Sequence, residues 1–307
     1  MIDGCVITAG VVSGAPPILR PLIGRLVGLK ARLANRRIRK HFEPLYRERL
    51  ETLKHDKNPS HEPQDHLQMM LRYAQKERPH ELQDLDLMIG RLAAANFGSI
   101  HQTTIQVTNL LLNIMGSDAE FDTVAVLRDE VARVGLDTEW TKAKVAQMVK
   151  ADSVTRETLR CHSFGGRAVF RKVLADGVVT DAGVGLPKGT LFSFLSQQVH
   201  SDETTYEAPL KYDPFRFSRA REAETEKKGS LSFVATGPTF LPFGHGKHAC
   251  PGRFLVDFEL KMIIAYVLSK YDLKFPEEYG NKRPANRWMA EALCPPAGVR
   301  VLVKRRV

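Results

Sequence analysis

Residues Phe243–Gly252 read FGHGKHACPG and place three glycines, a proline and two histidines around one cysteine, Cys250. Glycine lacks a Cβ atom, so a stretch this rich in glycine can bring its backbone close to a bound group. Pro251 suits the first position of a helix, and a helical pattern continues from there to about Lys270. Cys250 is therefore expected at the start of a helix, where the peptide dipoles stabilise negative charge on its sulfur.

Cys250 has three possible roles on this evidence. A free cysteine is most often a small buried hydrophobic residue. A cysteine at a helix N-terminus can also be a nucleophile, because the dipole depresses its pKa. The third role is a thiolate ligand of a metal. The surrounding residues favour the third, because the glycines would let a flat cofactor approach, and Lys247 and His248 could meet its carboxylates.

The composition limits the class of protein. The chain has 307 residues, enough for one large domain or two ordinary ones, and 43% of them are hydrophobic. Its four cysteines, Cys5, Cys161, Cys250 and Cys294, are far apart and form no CxxC pair. This spacing argues against a disulfide framework or a zinc ribbon and favours reduced thiols in a cytosol-facing protein.

The net charge of +10 is spread along the chain, with one dense basic run over Lys30–Arg49. Apolar residues recur there at helical spacing, which predicts a solvated amphipathic helix and leaves open a membrane-surface or acidic-partner role. Because the other basic residues are dispersed, we expect no nucleic-acid partner. No stretch of 18 or more apolar residues occurs, so no membrane-spanning helix is expected in this chain.

Helical patterns cover most of the chain, and strand patterns are few and short. The fold class predicted is mainly α with a minor β part. β-type signals are confined to Gly165–Val199 and the C-terminal tail, and Ser201–Pro238 is predicted to be mostly loop. The helical segments predicted are residues 30–55, 64–78, 82–115, 118–134, 138–159 and 251–270.

The cysteine stretch resembles the heme-binding loop of the cytochrome P450 monooxygenases. Phe243, Gly246, Cys250 and Gly252 match the loop pattern FxxGxxxCxG of that family. The resemblance implies heme b as the cofactor, with the Cys250 thiolate as the axial ligand of its iron. His248 stands where most members have Arg, and the implied role is a hydrogen bond to a heme propionate.

Two further motifs occur in the order of this family. Glu157-Thr-Leu-Arg160 is similar to its ExxR motif, and Tyr212–Phe217 is similar to the segment whose Arg, here Arg216, joins that pair. The resemblance implies a structural ion network of Glu157, Arg160 and Arg216 around the heme core. Taken alone, Glu157 and Arg160 could equally be a surface ion pair, because i and i+3 share one helix face.

An arginine after the ExxR helix commonly binds a heme propionate in this family. Arg171 is the residue we expect in that role, and Arg167 is the alternative. The other interpretation of Arg171 is a solvent-exposed cation on a strand.

The helix before these motifs resembles the family helix that crosses the distal face of the heme. Its run Phe97–Thr104, FGSIHQTT, departs from the usual AGx(D/E)T and is similar to the FAxIHTT version of fungal members. In the ungapped register His101 takes the position of the acid and Gln102 that of the alcohol, whereas a shift of one residue makes Thr103 the alcohol. Histidine can relay protons near neutral pH, so these three residues are the predicted catalytic residues.

The resemblance extends over roughly the C-terminal three fifths of a family member. It implies a single partial P450 domain over residues 1–307, without the N-terminal anchor and first helices and strands. A full-length relative would lie on the cytosolic face of the endoplasmic reticulum membrane. Without an anchor, this chain is expected to be cytoplasmic or peripheral.

The family implies a monooxygenase that inserts oxygen from O2 into an apolar small molecule, for example a terpenoid of fungal secondary metabolism. Electrons would come from NADPH through NADPH-cytochrome P450 reductase, with Lys247 and Arg253 as candidate docking residues. Expected pocket walls are Phe97–Thr104, Ser163–Phe170 and Trp288–Pro296. The alternatives are a non-catalytic or partner-dependent heme-binding remnant, and a heme-thiolate isomerase or dehydratase.

Overall fold

Helices dominate the fold, as the apolar periodicity predicts. A computed structural model describes residues 10–55, 62–136, 139–223, 231–289 and 291–306. The helices in this part of the chain are α1 (Arg20–Val27), α2 (Leu29–His55), α3 (His66–Glu77), α4 (Leu85–Asn96), α5 (Gln102–Phe121), α6 (Thr123–Arg133), α7 (Lys142–Ala146), α8 (Val149–Cys161), α9 (Ser196–His200), α10 (Arg216–Glu222) and α11 (Arg253–Lys270).

The strands are short and pair two by two in antiparallel sheets. They are β1 (Ala168–Lys172), β2 (Val178–Val179), β3 (Gly185–Leu186), β4 (Leu191–Phe194), β5 (Tyr271–Lys274), β6 (Arg287–Met289), β7 (Ala292–Cys294) and β8 (Leu302–Arg305). The pairs are β1 with β4, β2 with β3, β5 with β8 and β6 with β7. The predicted fold class, mainly α with a minor β part, is confirmed.

The chain forms two compact units, Met1–His101 and Gln102–Val307. The core of the first unit lies between α2, α3 and α4 and includes Phe42, Leu71 and Met88. The hydroxyl of the buried Tyr46 donates to the carbonyl of Leu82 at 2.7 Å, which ties α2 to the turn before α4. Aspartates cap α3 and α4: Asp65 and Asp84 each accept a hydrogen bond from the backbone three residues later.

Helix α2 runs through Pro44 without ending there. Proline removes one intrahelical hydrogen bond and ordinarily kinks or breaks a helix. Here Phe42 and Tyr46 flank the proline and are both buried, with their rings 5.8 Å apart. Burial of this apolar face offsets the lost hydrogen bond, so tertiary packing decides the helix.

The second unit is built around α8. All ten residues from Ala151 to Arg160 are buried, polar residues included, because α5, α6, α10 and α11 pack against this helix. Apolar residues of these helices form the main core, with Leu110, Leu127, Val154 and Ile264 at its centre. A helix buried on every side must satisfy its polar side chains internally, and this requirement shapes the site described below.

The helix boundaries differ from the predicted ones in several places: the helix predicted over 82–115 comprises α4, a π-helix over Phe97–His101 and most of α5, and α1 was not predicted. The predicted helix over 118–134 is split, because α5 continues to Phe121 and Asp122 adopts a left-handed conformation (φ 49°) before α6. The Asp118 carboxylate accepts a hydrogen bond from the backbone of Val124 at 2.8 Å and stabilises this break.

The helix predicted over 138–159 is also two helices, α7 and α8, and its first residue lies outside the described part of the chain. Glu130 on α6 causes the second start, because its buried carboxylate accepts hydrogen bonds from the backbone of Lys150 (2.7 Å) and Ala151 (2.8 Å). Burial raises the pKa of Glu130, against the opposing effect of these hydrogen bonds. A cap supplied from another helix cannot be predicted from local sequence.

The segment predicted to be mostly loop, Ser201–Pro238, contains α10. The serine hydroxyl of Ser153 on α8 accepts hydrogen bonds from the backbone of Phe217 (3.1 Å) and Ser218 (3.0 Å), which satisfies the first turn of α10. Part of the polar run in this segment, residues 224–230, lies outside the described residues.

Candidate functional site

The stretch Phe243–Gly252 forms a closed loop. The backbone N–H of Cys250 donates to the carbonyl of Phe243 at 2.8 Å, so the two ends of the loop meet. Gly244 (φ 69°) and Gly246 (φ 75°) are both left-handed, a conformation that other residues rarely adopt. The loop therefore requires glycine at these two positions for its turns.

Two residues hold Cys250 in place. Arg253 donates from Nη1 to the carbonyl of Cys250 at 2.6 Å and from Nε to the carbonyl of Val234 at 3.0 Å. Phe243 packs edge-on against the fully buried Phe233, with ring centroids 5.2 Å apart. The loop is thus anchored at both ends to the core of the second unit, and Arg253 has a structural task in addition to any role in docking.

The Cys250 thiol is free and half-buried. A Cβ atom at Gly252 would lie 3.9 Å from its sulfur, whereas a Cβ atom at Gly246 would meet nothing within 4 Å. Among the described residues, no group of three or more His, Cys, Asp or Glu could hold a metal ion. A single half-buried cysteine sulfur fits an iron that brings its remaining ligands in a porphyrin ring, and it does not fit a bare ion.

Cys161 contrasts with Cys250. Burial raises the pKa of the Cys161 thiol, and the neighbouring Glu157 carboxylate raises it further. Its sulfur lies 3.7 Å from Glu157 Oε1, towards which the thiol donates. Cys161 is therefore kept as a neutral thiol, which makes it a poor metal ligand or nucleophile.

Arg171 on β1 lies against the cysteine loop. Its guanidinium donates to the carbonyl of His245 at 3.3 Å and to that of Phe170 at 2.8 Å. Arg167, the alternative, forms a salt bridge with Glu291 and lies over the ring of Phe170. Since Arg167 is already paired with a carboxylate, Arg171 is the better placed of the two for a propionate at this loop.

His245 was not singled out from the sequence. Its Nδ1 lies 3.0 Å from the hydroxyl of Thr236, while its carbonyl accepts from Arg171. These contacts tie the tip of the loop to the preceding segment. His248 and Lys247 occupy the single 3-10 turn of the loop and are exposed.

Glu157, Arg160 and Arg216 form one buried ion network. Arg160 makes a two-point contact with Glu157, Nε to Oε2 and Nη2 to Oε1, both at 2.7 Å. Arg216 Nε adds a third hydrogen bond to Oε1 at 3.2 Å. Glu157 is 0% exposed and Arg160 1% exposed. Burial is the largest single effect on the pKa of Arg160 and lowers it, but the hydrogen bonds with Glu157 and the neighbouring negative groups together outweigh burial and raise the pKa above its ordinary value.

The same network fixes the chain between α9 and α10. Arg160 Nη1 also donates to the carbonyls of His200 (2.6 Å) and Pro209 (2.8 Å). Arg216 donates to the carbonyl of Glu207 at 2.6 Å. The arginines therefore bond backbone carbonyls at the end of α9 and in the loop that follows it.

Arg156 is a second arginine of α8 that the sequence analysis missed. It donates to the carbonyls of Ser232 and Ala235 and stacks on Phe240, with its Cζ 3.7 Å from the ring centroid. Residues 232–240 lead directly into the cysteine loop. The signal available in the sequence was the four-residue spacing of Arg156 and Arg160, which puts both on one face of the helix.

His200 completes the support of this segment. Its Nε2 accepts a hydrogen bond from the backbone of Leu241 at 2.9 Å, just before the loop. Burial lowers the pKa of His200 to about 3, and the charges of Arg160 and Arg156 lower it too. The imidazole is therefore neutral, as an acceptor must be.

The predicted distal residues lie at a change of helix type. Phe97–His101 is a π-helix, and α5 begins at the next residue, Gln102. The rings of Phe97 and His101 are stacked with centroids 6.3 Å apart. Gln102 is exposed, and His101 and Thr103 are half-buried. π-segments inside long helices are frequent at functional sites, because they displace side chains from the regular helical positions.

Two of the three predicted pocket walls, Ser163–Phe170 and Trp288–Pro296, meet in the second unit. The backbone N–H of Gly166 donates to Glu291 at 2.9 Å, and that of Leu293 donates to Phe164 at 2.8 Å. A Cβ atom at Gly166 would lie 3.4 Å from the indole of Trp288. The glycine therefore allows the indole to pack directly on this backbone.

Comparison with known proteins identifies the family. Residues 11–303 match the family model described as Cytochrome P450. The chain is 54% identical to cytochrome P450 monooxygenase pbrC of Penicillium brasilianum over 314 residues and 54% identical to astC of Aspergillus terreus over 317 residues. Each alignment covers 99% of this chain. The chain belongs to the cytochrome P450 family.

The predicted family is thus confirmed, and so is its similarity to fungal members. A third P450 relative, tenB of Beauveria bassiana, is 45% identical over 318 residues. The chain spans 59% of the length of each of these three P450 relatives.

None of the helices in the described part of this P450 chain combines the length and apolar character that crossing a membrane requires.

Proposed function

We propose that this chain forms the heme-binding part of a heme-thiolate monooxygenase that inserts oxygen from O2 into an apolar small molecule. The observation that carries the proposal is the Phe243–Cys250 loop, which is closed by its own backbone, turns at two left-handed glycines and holds one half-buried free thiol. Membership of the P450 family supports the same reading. The relatives are named monooxygenases, and secondary metabolism is the proposed setting for this chain.

In this proposal Cys250 would supply the thiolate that holds the iron of heme b. When bound, the heme supplies dioxygen activation, which the electron-rich thiolate favours. The chain then has three tasks: holding the sulfur, neutralising the two propionates and delivering protons. α11 stabilises negative charge on the sulfur, because Cys250 precedes the N-terminal end of that helix.

Arg171 and His248 are proposed to hold the propionates. Arg171 already lies against the loop at His245, and His248 lies in the turn two residues before Cys250. Phe243, Gly246 and Gly252 are proposed to shape the face of the loop towards the ring. Glu157, Arg160 and Arg216 are proposed to act further away, by fixing the chain between α9 and α10.

His101, Gln102 and Thr103 are proposed to hold and pass protons on the distal side. An imidazole serves this purpose near neutral pH, and a hydroxyl or amide can orient water beside it. The π-helix over Phe97–His101 supports the assignment, because it interrupts regular helical bonding at these residues.

The proposed electron source is NADPH through NADPH-cytochrome P450 reductase. Lys247 is exposed on the cysteine loop and is the proposed contact for an acidic reductase surface. The location proposed for a full-length relative is the cytosolic face of the endoplasmic reticulum membrane, and this chain is proposed to be cytoplasmic or peripheral to that membrane. The substrate is proposed to be an apolar secondary metabolite such as a terpenoid.

The test is a difference spectrum of the heme-reconstituted chain, reduced and exposed to carbon monoxide. We expect the strongly red-shifted band of a thiolate-ligated carbonyl complex. Cys250→His should bind heme but give the band of nitrogen ligation, and Cys161→Ser should leave the wild-type band in place, because Cys161 is a buried neutral thiol. A red-shifted band that survives Cys250→His would overturn the assignment.

Turnover then separates the proposed class of reaction from its alternatives. A monooxygenase needs reductase, NADPH and O2 together. Product formation without added electrons would indicate an isomerase or dehydratase. Heme uptake with the red-shifted band, but no turnover of any apolar substrate with reductase, would indicate a heme-binding remnant.

A further inference from the structure

Asp152 on α8 is a buried carboxylate outside the cysteine loop and outside the Glu157 network. It is 5% exposed. Its Oδ2 accepts hydrogen bonds from the backbone N–H of Phe233 at 2.9 Å and from Arg221 Nη1 at 3.1 Å. Its Oδ1 accepts one from Lys261 Nζ at 2.7 Å. Hydrogen bonds to an ionised carboxylate are stronger than those between neutral groups, so Asp152 is a firm attachment point for these three donors.

The charges around Asp152 are balanced inside the protein. Lys261 on α11 is 3% exposed and also lies 2.7 Å from Oδ1 of Asp257, one turn earlier on the same helix. Two carboxylates and two cations, Lys261 and Arg221, therefore compensate each other. Because Lys261 has this second carboxylate, the loss of Asp152 alone would not leave the lysine unpaired.

Phe233 connects this carboxylate to the cysteine loop. Its ring is fully buried and lies edge-on against the ring of Phe243, with centroids 5.2 Å apart. The carbonyl of Phe243 accepts the N–H of Cys250 at 2.8 Å. One series of contacts thus runs from Asp152 through two phenylalanines to the backbone of the cysteine.

A second series of contacts begins at the next residue, Val234. Its carbonyl accepts a hydrogen bond from Arg253 Nε at 3.0 Å, and Arg253 Nη1 donates to the carbonyl of Cys250 at 2.6 Å. Both backbone groups of Cys250 are therefore bonded to residues that contact positions 233–234. The hydrogen bond from Asp152 attaches these two positions to α8.

We propose that Asp152 is a positioning residue for Cys250, and that its hydrogen bond with Phe233 keeps the cysteine loop in the conformation in which the sulfur can hold the iron of a heme. Arg221 and Lys261 in turn hold the carboxylate towards Phe233. This inference rests on the proposed function, because Cys250 is the proposed iron ligand. The competing interpretation is an ion pair that only joins α8 to α11, in which case Asp152 and Asp257 would matter equally to the loop.

Hydrogen–deuterium exchange of the full chain without heme tests the positioning. Asp152→Ala removes the acceptor of the Phe233 N–H, whereas Asp257→Ala removes the other carboxylate of Lys261 and leaves that acceptor in place. We expect exchange over residues 233–250 to rise at least about tenfold in Asp152→Ala, as for a lost hydrogen bond to a charged group, and to stay near the wild-type rate in Asp257→Ala. Equal rises in the two variants would overturn the proposal.

Asp152→Asn separates the hydrogen bond from the charge. Its amide oxygen can still accept from Phe233, but the side chain no longer attracts Lys261. We expect slow exchange over residues 233–250 to be recovered, while the free energy of unfolding stays below that of the wild type. If Asp152→Asn exchanged as fast as Asp152→Ala, the hydrogen bond would not be what controls the loop, and the proposal would be wrong.

A double variant keeps the test valid if Asp152→Ala does not fold. Asp152→Leu/Lys261→Leu replaces both members of the buried pair by apolar residues, an exchange that is often neutral for stability. It also lacks the acceptor of the Phe233 N–H, so we expect fast exchange over residues 233–250 in a folded chain. Wild-type exchange in this variant would contradict the proposal.

The carbon monoxide spectrum gives a second readout, on the heme-reconstituted chain. Asp152→Ala should lower the ratio of the red-shifted band to the blue-shifted band of a lost thiolate by about tenfold, whereas Asp152→Asn and Asp257→Ala should keep the wild-type ratio. An unaltered ratio in Asp152→Ala would overturn the proposal. A wild-type chain without any red-shifted band would instead overturn the proposed function, and the exchange measurement without heme would still decide whether Asp152 holds the loop.

Discussion

Arginines of α8 and arginines of the α1–α2 segment have the same side chain and opposite surroundings. Arg160 is 1% exposed and bonds a buried carboxylate and two carbonyls. Arg36 and Arg37 are exposed, and no acidic residue precedes Glu43 on their helix. The charge of Arg160 holds buried groups of the protein interior together, whereas the charges of Arg36 and Arg37 are available to an external partner. Burial decides which, because an unpaired charge is tolerated only in contact with water.

The largest effect is expected when one negative charge is removed from each region. Glu157→Gln leaves Arg160 and Arg216 without their counter-charge, and we expect a loss of about 3–5 kcal/mol in the free energy of unfolding. Glu43→Gln in α2 also removes a carboxylate from two arginines, Arg39 and Arg47, but this group is solvated. We expect no measurable change there.

Urea unfolding of both variants, followed by circular dichroism, measures the difference. A conservative control, Glu157→Asp, should recover part of the stability because it restores the charge. Equal effects of Glu157→Gln and Glu43→Gln would show that burial does not separate the two regions.

The second test uses pH, because two buried histidines accompany the α8 network. Burial lowers the pKa of both His200 and His162 to about 3, with the charges of nearby arginines adding to the effect. Below about pH 6.5 the unfolded chain binds protons that the folded chain excludes. Stability is therefore full above that pH and is lost as the pH falls towards 3, by about 2 kcal/mol per histidine at pH 5.

His200→Gln should reduce this loss. A glutamine side-chain oxygen can still accept the hydrogen bond from Leu241 but does not titrate. Urea unfolding between about pH 5 and pH 7 gives the slope of stability against pH for both chains. An unchanged slope in the variant would mean that His200 is protonated in the folded protein.

The smallest effect is expected at two glycines that lie within helices and differ in how closely other residues pack against them. A Cβ atom at Gly116 on α5 would lie 2.8 Å from Cβ of Arg283, a residue held by Asn109 (2.9 Å) and Asn286 (2.7 Å). Gly116→Ala should therefore destabilise the second unit by about 1–3 kcal/mol. At Gly90 on α4 a Cβ atom would meet nothing within 4 Å, so Gly90→Ala should stabilise by about 0.5–1 kcal/mol.

Thermal unfolding of the two alanine variants gives the signs. Opposite signs of the change in stability would show that α5 is packed tightly against Arg283 at Gly116, whereas α4 is open to solvent at Gly90. A neutral Gly116→Ala would mean that the Arg283 loop can move away from α5.

Several features were predictable because they are local in sequence. The fixed residues of the cysteine loop lie within ten positions, and the helical periodicity of α2 and α11 is regular enough to predict them. The split of 138–159 into two helices was not predictable, because the cap of α8 comes from Glu130 on another helix. The break at Asp122 depends in the same way on a side-chain bond, from Asp118, that competes with the helix.

The sequence by itself determined the family of this protein, the position of its iron-binding cysteine candidate and the helical class of the fold, since these depend on residue type and spacing. It left open whether Glu157 and Arg160 are a surface pair or a buried network, and whether Arg167 or Arg171 lies at the loop. It could not show that Arg156 and His200 support the segment before the loop. Only the tertiary structure decided these points, because burial and pairing are properties of residues brought together from distant parts of the chain.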